Sequence, residues 1–322
     1  MGVDNISEEL FSTLMPYASN KVKQARANPT LGFVHYTSAD ALLKILQSGE
    51  VWFRNSSMMN DFSEVEYGLQ RLRLAWGSDA GVELRRMLEE SHPGVIRRLT
   101  DYHNGWQPQY TKQTYLFSVS EHLESENNLG RLSMWREYAR NSGVALVLRT
   151  DAFNSETQLL KAYTVPVMYA DQSDFLRNFE KIRDSLRDNA VEFSRLSPEK
   201  LFSSLFQVFR FITLSTKHPG FAEELEWRVV YNPTMESSPY FTERIVSLGG
   251  VPQKIFALGL EEIGDAEEEL DLSLNALVDR VIIGPTEYQE TIGEAVVRAM
   301  GDAGVSDAES KVTYSNIPVR TD

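Results

Sequence analysis

The segment that most constrains the fold runs from Phe221 to Tyr231 and reads FAEELEWRVVY. Side chains of a β-strand alternate between its two faces with a period of two residues. A strand over 225–231 therefore places three charged side chains on one face and three apolar side chains on the other: Glu224, Glu226 and Arg228 against Leu225, Trp227 and Val229. Such a strand needs an apolar layer behind it, and the charges in front favour a functional site over a solvated surface.

The rest of the chain alternates short strand-like runs with helical patterns. The stretch 173–216 contains no glycine, is helical in pattern apart from a break at Ser197-Pro198, and is interpreted as a helical hairpin inserted between strands. This order predicts an α+β fold: an N-terminal helical segment over 1–32, then a single domain over 33–322 that carries the insertion. Residues 261–271 contain seven acidic side chains, and we expect a solvated loop there.

Charge and composition exclude several classes of function. The 46 acidic residues outnumber the 32 lysines and arginines, which gives a formal charge of −14. This balance disfavours broad, sequence-independent nucleic-acid binding, although five arginines could still form a local basic channel: Arg97, Arg98, Arg131, Arg136 and Arg140. The chain has no cysteine, so disulfides, thiolate zinc sites and cysteine nucleophiles are excluded.

No targeting or membrane segment is visible in the sequence. The first residues lack a basic region followed by an apolar one, and no apolar run approaches the ~18 residues of a membrane span. We therefore expect a cytoplasmic protein without a membrane partner. The histidines show no metal-ligand spacing and there is no HExxH, so no metal site is expected. The dinucleotide GxGxxG and the phosphate-binding GxxxxGK[ST] are both missing.

Two earlier strands also offer polar side chains two residues apart. His35 and Thr37 flank Tyr36 at the end of the first strand, and Ser118 and Ser120 share a face of a later one. Each set has an ordinary explanation, because a lone histidine is often structural and a hydroxyl before a helix often caps it. One active cleft would account for both sets together with the charged strand.

A further polar group follows the second short strand. Arg54 precedes the turn that contains Asn60 and Asp61, and Glu64 lies just beyond it. Arg54 is interpreted either as a phosphate ligand or as a partner of Asp61, while Asn60-Asp61 most simply caps the next helix. Tyr138 is assigned to the core of a short helix in preference to a stacking platform.

The motifs HYTS at 35–38, Asn60-Asp61, Trp135 and ELEWR at 224–228 occur in a recognisable order. Together with the ending VIIGP at 281–285 through 315–320, they resemble a bacterial family of unknown function that has an HYTS-type start and a late E-x-EWR motif. More distantly, His35 with Thr37, Ser118-Val-Ser120 and Glu224-Leu-Glu226 resemble the ADP-ribosyltransferase superfamily in motif order. Val119 departs from that pattern, because the middle position is usually threonine.

The second resemblance implies a fold, an activity and a set of roles. The fold would be a split mixed or antiparallel sheet with helical insertions, and the activity would be transfer of ADP-ribose from NAD by a bacterial toxin or phage-defence effector. Glu226 would stabilise the oxocarbenium-like state through the ribose 2′-hydroxyl, and Glu224 would orient or deprotonate the acceptor. The other implied NAD-binding residues are His35, Tyr36, Thr37, Arg54, Ser118, Ser120 and Arg228.

Two other functions remain open at this point. The same site could hydrolyse NAD with water as acceptor, or the scaffold could be a non-enzymatic binding or regulatory module. A structural reading of Glu226 also remains, in which it pairs with Arg228 and only rigidifies the sheet. The sequence identifies neither the acceptor, which is a nucleic acid or a protein, nor any antitoxin or other regulatory partner.

Overall fold

The computed structural model describes residues 8–58, 64–138, 142–155, 157–265 and 267–318. Thirteen α-helices lie in this part of the chain: α1 Glu8–Leu14, α2 Pro16–Ala27, α3 Ala39–Ser48, α4 Glu64–Gly77, α5 Asp79–Ser91, α6 Val95–Lys112, α7 Leu132–Tyr138, α8 Asp151–Asn154, α9 Gln172–Asp188, α10 Ala190–Ser194, α11 Pro198–Leu214, α12 Leu274–Leu277 and α13 Gln289–Asp302. The strands are β1 Gly32–Ser38, β2 Glu50–Asn55, β3 Tyr115–His122, β4 Gly143–Leu148, β5 Ala162–Pro166, β6 Met168–Tyr169, β7 Thr216–Lys217, β8 Glu226–Tyr231, β9 Phe241–Leu248, β10 Val251–Gly259, β11 Glu262–Gly264, β12 Glu269–Asp271, β13 Val278–Ile283 and β14 Val312–Tyr314.

Ten of the strands form one mixed sheet. Its order is β14-β13-β4-β1-β3-β2-β10-β9, and β8 pairs with β3 and carries β5 on its other edge. Every pair is antiparallel except β13 with β14. The expected α+β class with a mostly antiparallel sheet is therefore confirmed.

The sheet divides at β3. Because β8 pairs along β3 from Tyr115 to Ser120, β1 and β2 share the opposite edge of β3. Gly32–Val34 pair at one end of that edge and Arg54–Asn55 at the other, so the two strands diverge between these points. The His35 side chain lies at the division, and its Nδ1 is 3.1 Å from the main-chain oxygen of Ser118.

The predicted helical insertion forms α9, α10 and α11. The predicted break is confirmed, because the Ser197 hydroxyl accepts a hydrogen bond from the Lys200 amide at 3.2 Å and Pro198 occupies the first turn of α11. Both α1 and α2 pack into the same apolar core as the insertion, through Leu14 and Met15 among others. Helix α1 and the start of α2 therefore belong to the helical layer that covers one face of the sheet, while Ala25 near the end of α2 lies in the apolar core of the other face.

Local capping signals placed α3 correctly. The Ser38 hydroxyl accepts a hydrogen bond from the Ala41 amide at 3.2 Å, and Gly49 ends the helix with φ +62°, in the left-handed region that glycine tolerates best. The acidic stretch 261–271 is different from the expected loop, because β11 and β12 pair within it as a short antiparallel hairpin. Buried Ile263 and Leu270 explain this, since they anchor the hairpin on the apolar core.

Candidate active site

Cross-strand pairing fixes which side chains share a face of the sheet. Ser120 lies opposite Glu226 and Ser118 lies opposite Arg228, so these four side chains point to the helical layer. Trp227 and Val229 point to the other face, into a second apolar core. The predicted alternation of charged and apolar residues along β8 is thus confirmed from Glu226 onward.

Glu224 lies in the same region, although it precedes β8 and is not part of that strand. It ends a 3-10 helix, Pro219–Glu224, and Leu225 then adopts a left-handed conformation with φ +46° before β8 begins at Glu226. The expectation that Leu225 begins the strand, with its side chain on the Trp227 face, was wrong. A strained bend of this type at a non-glycine residue persists only where the surrounding contacts enforce it.

Five side chains from four elements form what we call the charge cluster: Glu64, Lys217, Glu224, Glu226 and Arg228. Glu64 begins α4, Lys217 ends β7, and the others surround the bend before β8. All five residues are buried. Buried charges at this density must be paired with each other, since each would otherwise lose its hydration without compensation.

Arg228 forms the inner part of the charge cluster. Its Nε and Nη2 donate to the two carboxylate oxygens of Glu226, each at 2.9 Å, and Nη1 donates to the Leu214 carbonyl at 2.6 Å. Nη2 also contacts Glu64. Only a planar guanidinium offers this set of directed donors, so lysine could not replace it.

Lys217 forms the outer part. Its ammonium lies 2.6 Å from Glu224, 2.7 Å from Glu64 and 3.4 Å from Glu226. Three carboxylates against two cations leave one negative charge if all five groups are ionised. Burial alone would lower the pKa of Lys217, but the attraction of Glu226, Glu64 and Glu224 outweighs it and raises the pKa.

The two carboxylates of the E-x-E motif differ in protonation. Burial acts to raise the pKa of Glu226, but the charge and hydrogen bonds of Arg228, with Lys217, lower it to about 2. For Glu224 burial prevails over Lys217, and its pKa is raised above the usual range. Glu226 is therefore firmly ionised, whereas Glu224 accepts a proton more readily than an ordinary glutamate.

Two tyrosines contact the motif. The Tyr138 hydroxyl donates to Glu224 Oε1 at 2.9 Å, and the Tyr169 hydroxyl accepts a hydrogen bond from the Glu226 amide at 2.8 Å. Burial, together with the neighbouring carboxylates, raises the pKa of both tyrosines, so they remain protonated at neutral pH. Tyr138 packs on apolar neighbours as predicted, but its hydroxyl belongs to the site.

The serine pair lies beside the cluster. Ser120 is 3% exposed, and Ser118 Oγ is buried without a hydrogen bond of good geometry. The Ser118 hydroxyl is nevertheless close enough to Glu226 to help lower its pKa. The structure thus brings Ser118 and Ser120 together with Glu224, Glu226 and Arg228.

His35 and Thr37 lie on the opposite face of the sheet. Val34 pairs with Ser120, so the odd-numbered neighbours of Val34 point away from the charge cluster. The His35 ring packs on Phe117, with centroids 4.9 Å apart, and burial lowers its pKa. The neutral imidazole therefore carries its proton on Nδ1, because a carbonyl oxygen can only accept a hydrogen bond.

Tyr36 and Arg54 have other partners. The Tyr36 hydroxyl accepts a hydrogen bond from the Arg131 amide at 2.8 Å, and its ring meets Trp135 edge to face. Arg54 donates to the Met58 carbonyl at 2.8 Å. Neither touches the charge cluster, while Asn60 and Asp61 lie outside the described residues.

Of the arginines suggested for a basic channel, Arg131 is paired within the fold, and Arg136 is an exposed residue of α7. Arg131 donates to both oxygens of Glu126, at 2.8 and 2.9 Å. Arg97 and Arg98 lie on α6, and Arg140 is outside the described residues. Within the described residues, no three metal-binding side chains converge on a cation site, and no helix is both long and apolar enough to cross a membrane.

Sequence reasoning missed Lys217 and gave Glu64 no specific partner. Lys217 stands after an apolar helix without any motif around it, so only the fold reveals its role.

A family described as "Protein of unknown function (DUF2971)" matches residues 134–229, which include the described residues from Met134 in α7 to Val229 in β8. This segment contains Tyr138, Lys217 and the ELEWR motif but neither His35 nor Glu64. No curated protein and no solved structure matches the chain.

Proposed function

We propose that the chain is an NAD-dependent ADP-ribosyltransferase that modifies a nucleic acid or a protein, with the charge cluster as its catalytic centre. The observation that carries the proposal is that two neighbouring carboxylates of the charge cluster have pKa values shifted in opposite directions. The pKa of Glu226 is lowered to about 2, whereas the pKa of Glu224 is raised, although Glu224 lies only two residues earlier and both carboxylates contact Lys217. Pairs of carboxylates with separated pKa values are typical of glycosyl-transfer sites.

The hydrogen bonds divide the roles between the two carboxylates. Both oxygens of Glu226 are held by Arg228, so Glu226 supplies a fixed negative charge near the reacting sugar. One oxygen of Glu224 is bonded only by the neutral hydroxyl of Tyr138, which a ribose hydroxyl can replace. We therefore assign contact with the ribose or the acceptor to Glu224 and electrostatic stabilisation of the oxocarbenium-like state to Glu226.

Binding of NAD to this site rests on groups near the cluster. Ser118 and Ser120 lie on the same face and offer hydroxyls. The neutral His35 reaches the division between β1 and β2 from the other face, so in this proposal it contacts NAD only if the nucleotide enters that division. Arg54, Tyr36 and Thr37 remain candidates for the outer parts of the nucleotide.

The test measures nicotinamide release and transfer of labelled ADP-ribose to protein and nucleic acid from a lysate. Glu224→Gln should reduce turnover by about 100-fold or more, the usual effect of losing a general acid or base. Glu223→Gln is the matched control, because Glu223 is the exposed neighbour of Glu224. The proposal fails if the wild-type protein neither releases nicotinamide nor transfers label, or if both variants turn over equally.

A non-enzymatic binding module is the second candidate, favoured by the way the cations and carboxylates of the cluster satisfy one another inside the fold. Calorimetry with NAD and with ADP-ribose separates the two, since a module of this kind should bind neither.

NAD hydrolysis would use the same site with water as the acceptor. Label that appears only in free ADP-ribose would identify this activity.

A further inference from the structure

A single arginine contacts the main chain on both sides of the bend that precedes β8. Nη1 of Arg131 donates to the main-chain oxygens of Glu223 and Glu224, at 3.0 and 3.1 Å, and Nη2 donates to the main-chain oxygen of Glu121 at 2.7 Å. The first two oxygens end the 3-10 helix, and the third belongs to β3. The guanidinium therefore links the segment that leads into β8 to the strand beside it.

A carboxylate completes the hydrogen bonding of this guanidinium. Nε and Nη2 of Arg131 donate to the two carboxylate oxygens of Glu126, at 2.8 and 2.9 Å. The total is five hydrogen bonds, as many as a guanidinium has N–H groups. The side chains of Arg131 and Glu126 are only 12% and 14% exposed. Arg131 is thus committed to contacts inside the fold, in contrast to the basic channel that the sequence suggested.

The main chain held in this way contains a strained residue. Leu225 has φ +46°, in the left-handed region that a Cβ atom disfavours. Its carbonyl accepts a hydrogen bond from the Glu121 amide at 2.9 Å. The main-chain oxygens of 223–225 are therefore all fixed, two by Arg131 and one by the residue whose own carbonyl binds Arg131. Without these contacts Leu225 would favour an extended backbone, and the Glu224 side chain would leave the charge cluster.

Helix α7 contacts Glu224 from both of its ends. Arg131 immediately precedes the helix, and its carbonyl accepts a hydrogen bond from the Trp135 amide at 3.0 Å. Tyr138 ends the helix and donates to the Glu224 carboxylate at 2.9 Å. Residues seven positions apart lie on the same side of a helix, so one face of α7 contacts both the main chain and the side chain of Glu224.

We propose that Arg131 is a positioning residue for Glu224. It keeps the bend at Leu225 in its left-handed form, so that the Glu224 carboxylate stays against Lys217 and Tyr138. The effect on catalysis rests on the proposed function, whereas the placement of the carboxylate does not. The two are therefore measured separately.

Carbon-13 NMR titration of the glutamate side chains, with the Glu224 signal assigned from Glu224→Gln, measures the pKa of this carboxyl group. In wild-type protein the pKa should lie above its ordinary value. Arg131→Gln should lower it towards that value, because the released carboxylate enters water. The sign identifies the cause, since removing a positive charge beside an unmoved carboxylate can only raise its pKa. Arg136→Gln, which removes the same charge from an exposed position of α7, should leave the pKa unchanged.

Two further variants separate positioning from folding. Arg131→Lys keeps the charge but has fewer donors, so it should lower the pKa of Glu224 part of the way, and it decides the question if Arg131→Gln does not fold. Asparagine adopts the left-handed region more readily than leucine. Leu225→Asn, added to either Arg131 variant, should therefore restore at least half of the lost shift. An unchanged or higher pKa of Glu224 in the Arg131 variants, or no recovery with Leu225→Asn, would overturn the proposal.

Turnover of NAD tests the effect on catalysis. Arg131→Gln should lower turnover by about 100-fold, as expected for a catalytic group displaced by about 1 Å, and Leu225→Asn should recover part of the loss. No turnover in wild-type protein would refute the proposed function, while the titration would still decide the role of Arg131. Full turnover in Arg131→Gln, with the pKa of Glu224 lowered, would instead refute the catalytic role of Glu224.

Discussion

Arg228 and Lys217 balance only two of the three carboxylates in the charge cluster, so the cluster favours one extra proton. The contacts decide which of Glu224 and Glu226 is protonated more readily. Glu226 accepts two hydrogen bonds from a guanidinium that cannot lose its charge, whereas Glu224 accepts one from Lys217 and one from a neutral tyrosine. Of the two, Glu224 is therefore protonated more readily, and the ionised state of Glu226 becomes part of what stabilises the fold.

This assignment predicts a specific acid lability. The folded-state pKa of Glu226 is about 2, below its ordinary 4.5, so its contribution to the free energy of unfolding is present above pH 4.5 and is lost as the pH falls towards 2. Glu224 acts with the opposite sign, because its raised pKa lets protonation stabilise the folded state. Between pH 5 and pH 2.5, wild-type protein should lose about 2 kcal/mol more than Glu226→Gln in urea titrations. Parallel losses in the two proteins would contradict it.

At the residue scale, sequence reasoning succeeded where strand periodicity applied. Glu226 and Arg228 share a face, as do Ser118 and Ser120, because each pair lies within one continuous strand. It assigned His35 to the same cleft as these residues, whereas His35 lies on the opposite face, because the relative face of two strands depends on their register and not on either sequence. Lys217 was missed because no motif surrounds it, and its contacts with Glu64, Glu224 and Glu226 form only where α4, β7 and the bend before β8 come together.

Among the elements, α4 is tightly constrained, because it crosses α11 closely and holds Glu64 at its first residue. A Cβ atom on Gly68 would lie 2.2 Å from the Thr213 carbonyl oxygen. Gly68 is one turn beyond Glu64 on the same side of the helix, so any shift of α4 at this crossing also moves Glu64 away from Lys217 and Arg228.

Gly68→Ala should therefore lower the free energy of unfolding by about 2 kcal/mol, as overpacking does, despite the better helix propensity of alanine. Urea denaturation measures the change. Gly77→Ala at the end of the same helix is the control, because no described heavy atom lies within 4 Å of its added Cβ, and it should be neutral or slightly stabilising. Equal effects of the two substitutions would exclude the close crossing.

The elements themselves were largely predictable, and the two exceptions arise from tertiary contacts. Ser38, Gly49 and the Ser197-Pro198 pair marked helix ends because capping chemistry is written in a few adjacent residues. The bend at Leu225 was not predictable from propensity, since a left-handed leucine is imposed by tertiary contacts. The acidic hairpin was missed because two buried apolar residues outweigh seven exposed charges.

For the molecule as a whole, β8 joins two apolar cores. Val230 belongs to the core that the helices α1, α9 and α11 build on one face, and Tyr231 belongs to the core beneath the other face. The sequence indicated an α+β chain with a helical insertion, but its order did not show that the N-terminal helices and the insertion form one layer. That layer depends on contacts between residues about 160 to 200 positions apart, which periodicity cannot encode.

The shared strand predicts that the helical layer and the sheet unfold together. Leu14 of α1 is 0% exposed, so Leu14→Ala should cost about 2–5 kcal/mol. Far-ultraviolet circular dichroism, which reports the helices, and tryptophan fluorescence, which includes Trp227 in the sheet, should shift to the same lower urea midpoint. Leu74→Ala on α4 is the control, because that side chain is 49% exposed and its loss should be nearly neutral. An early transition seen by circular dichroism alone would show instead that the helical layer unfolds independently of the sheet.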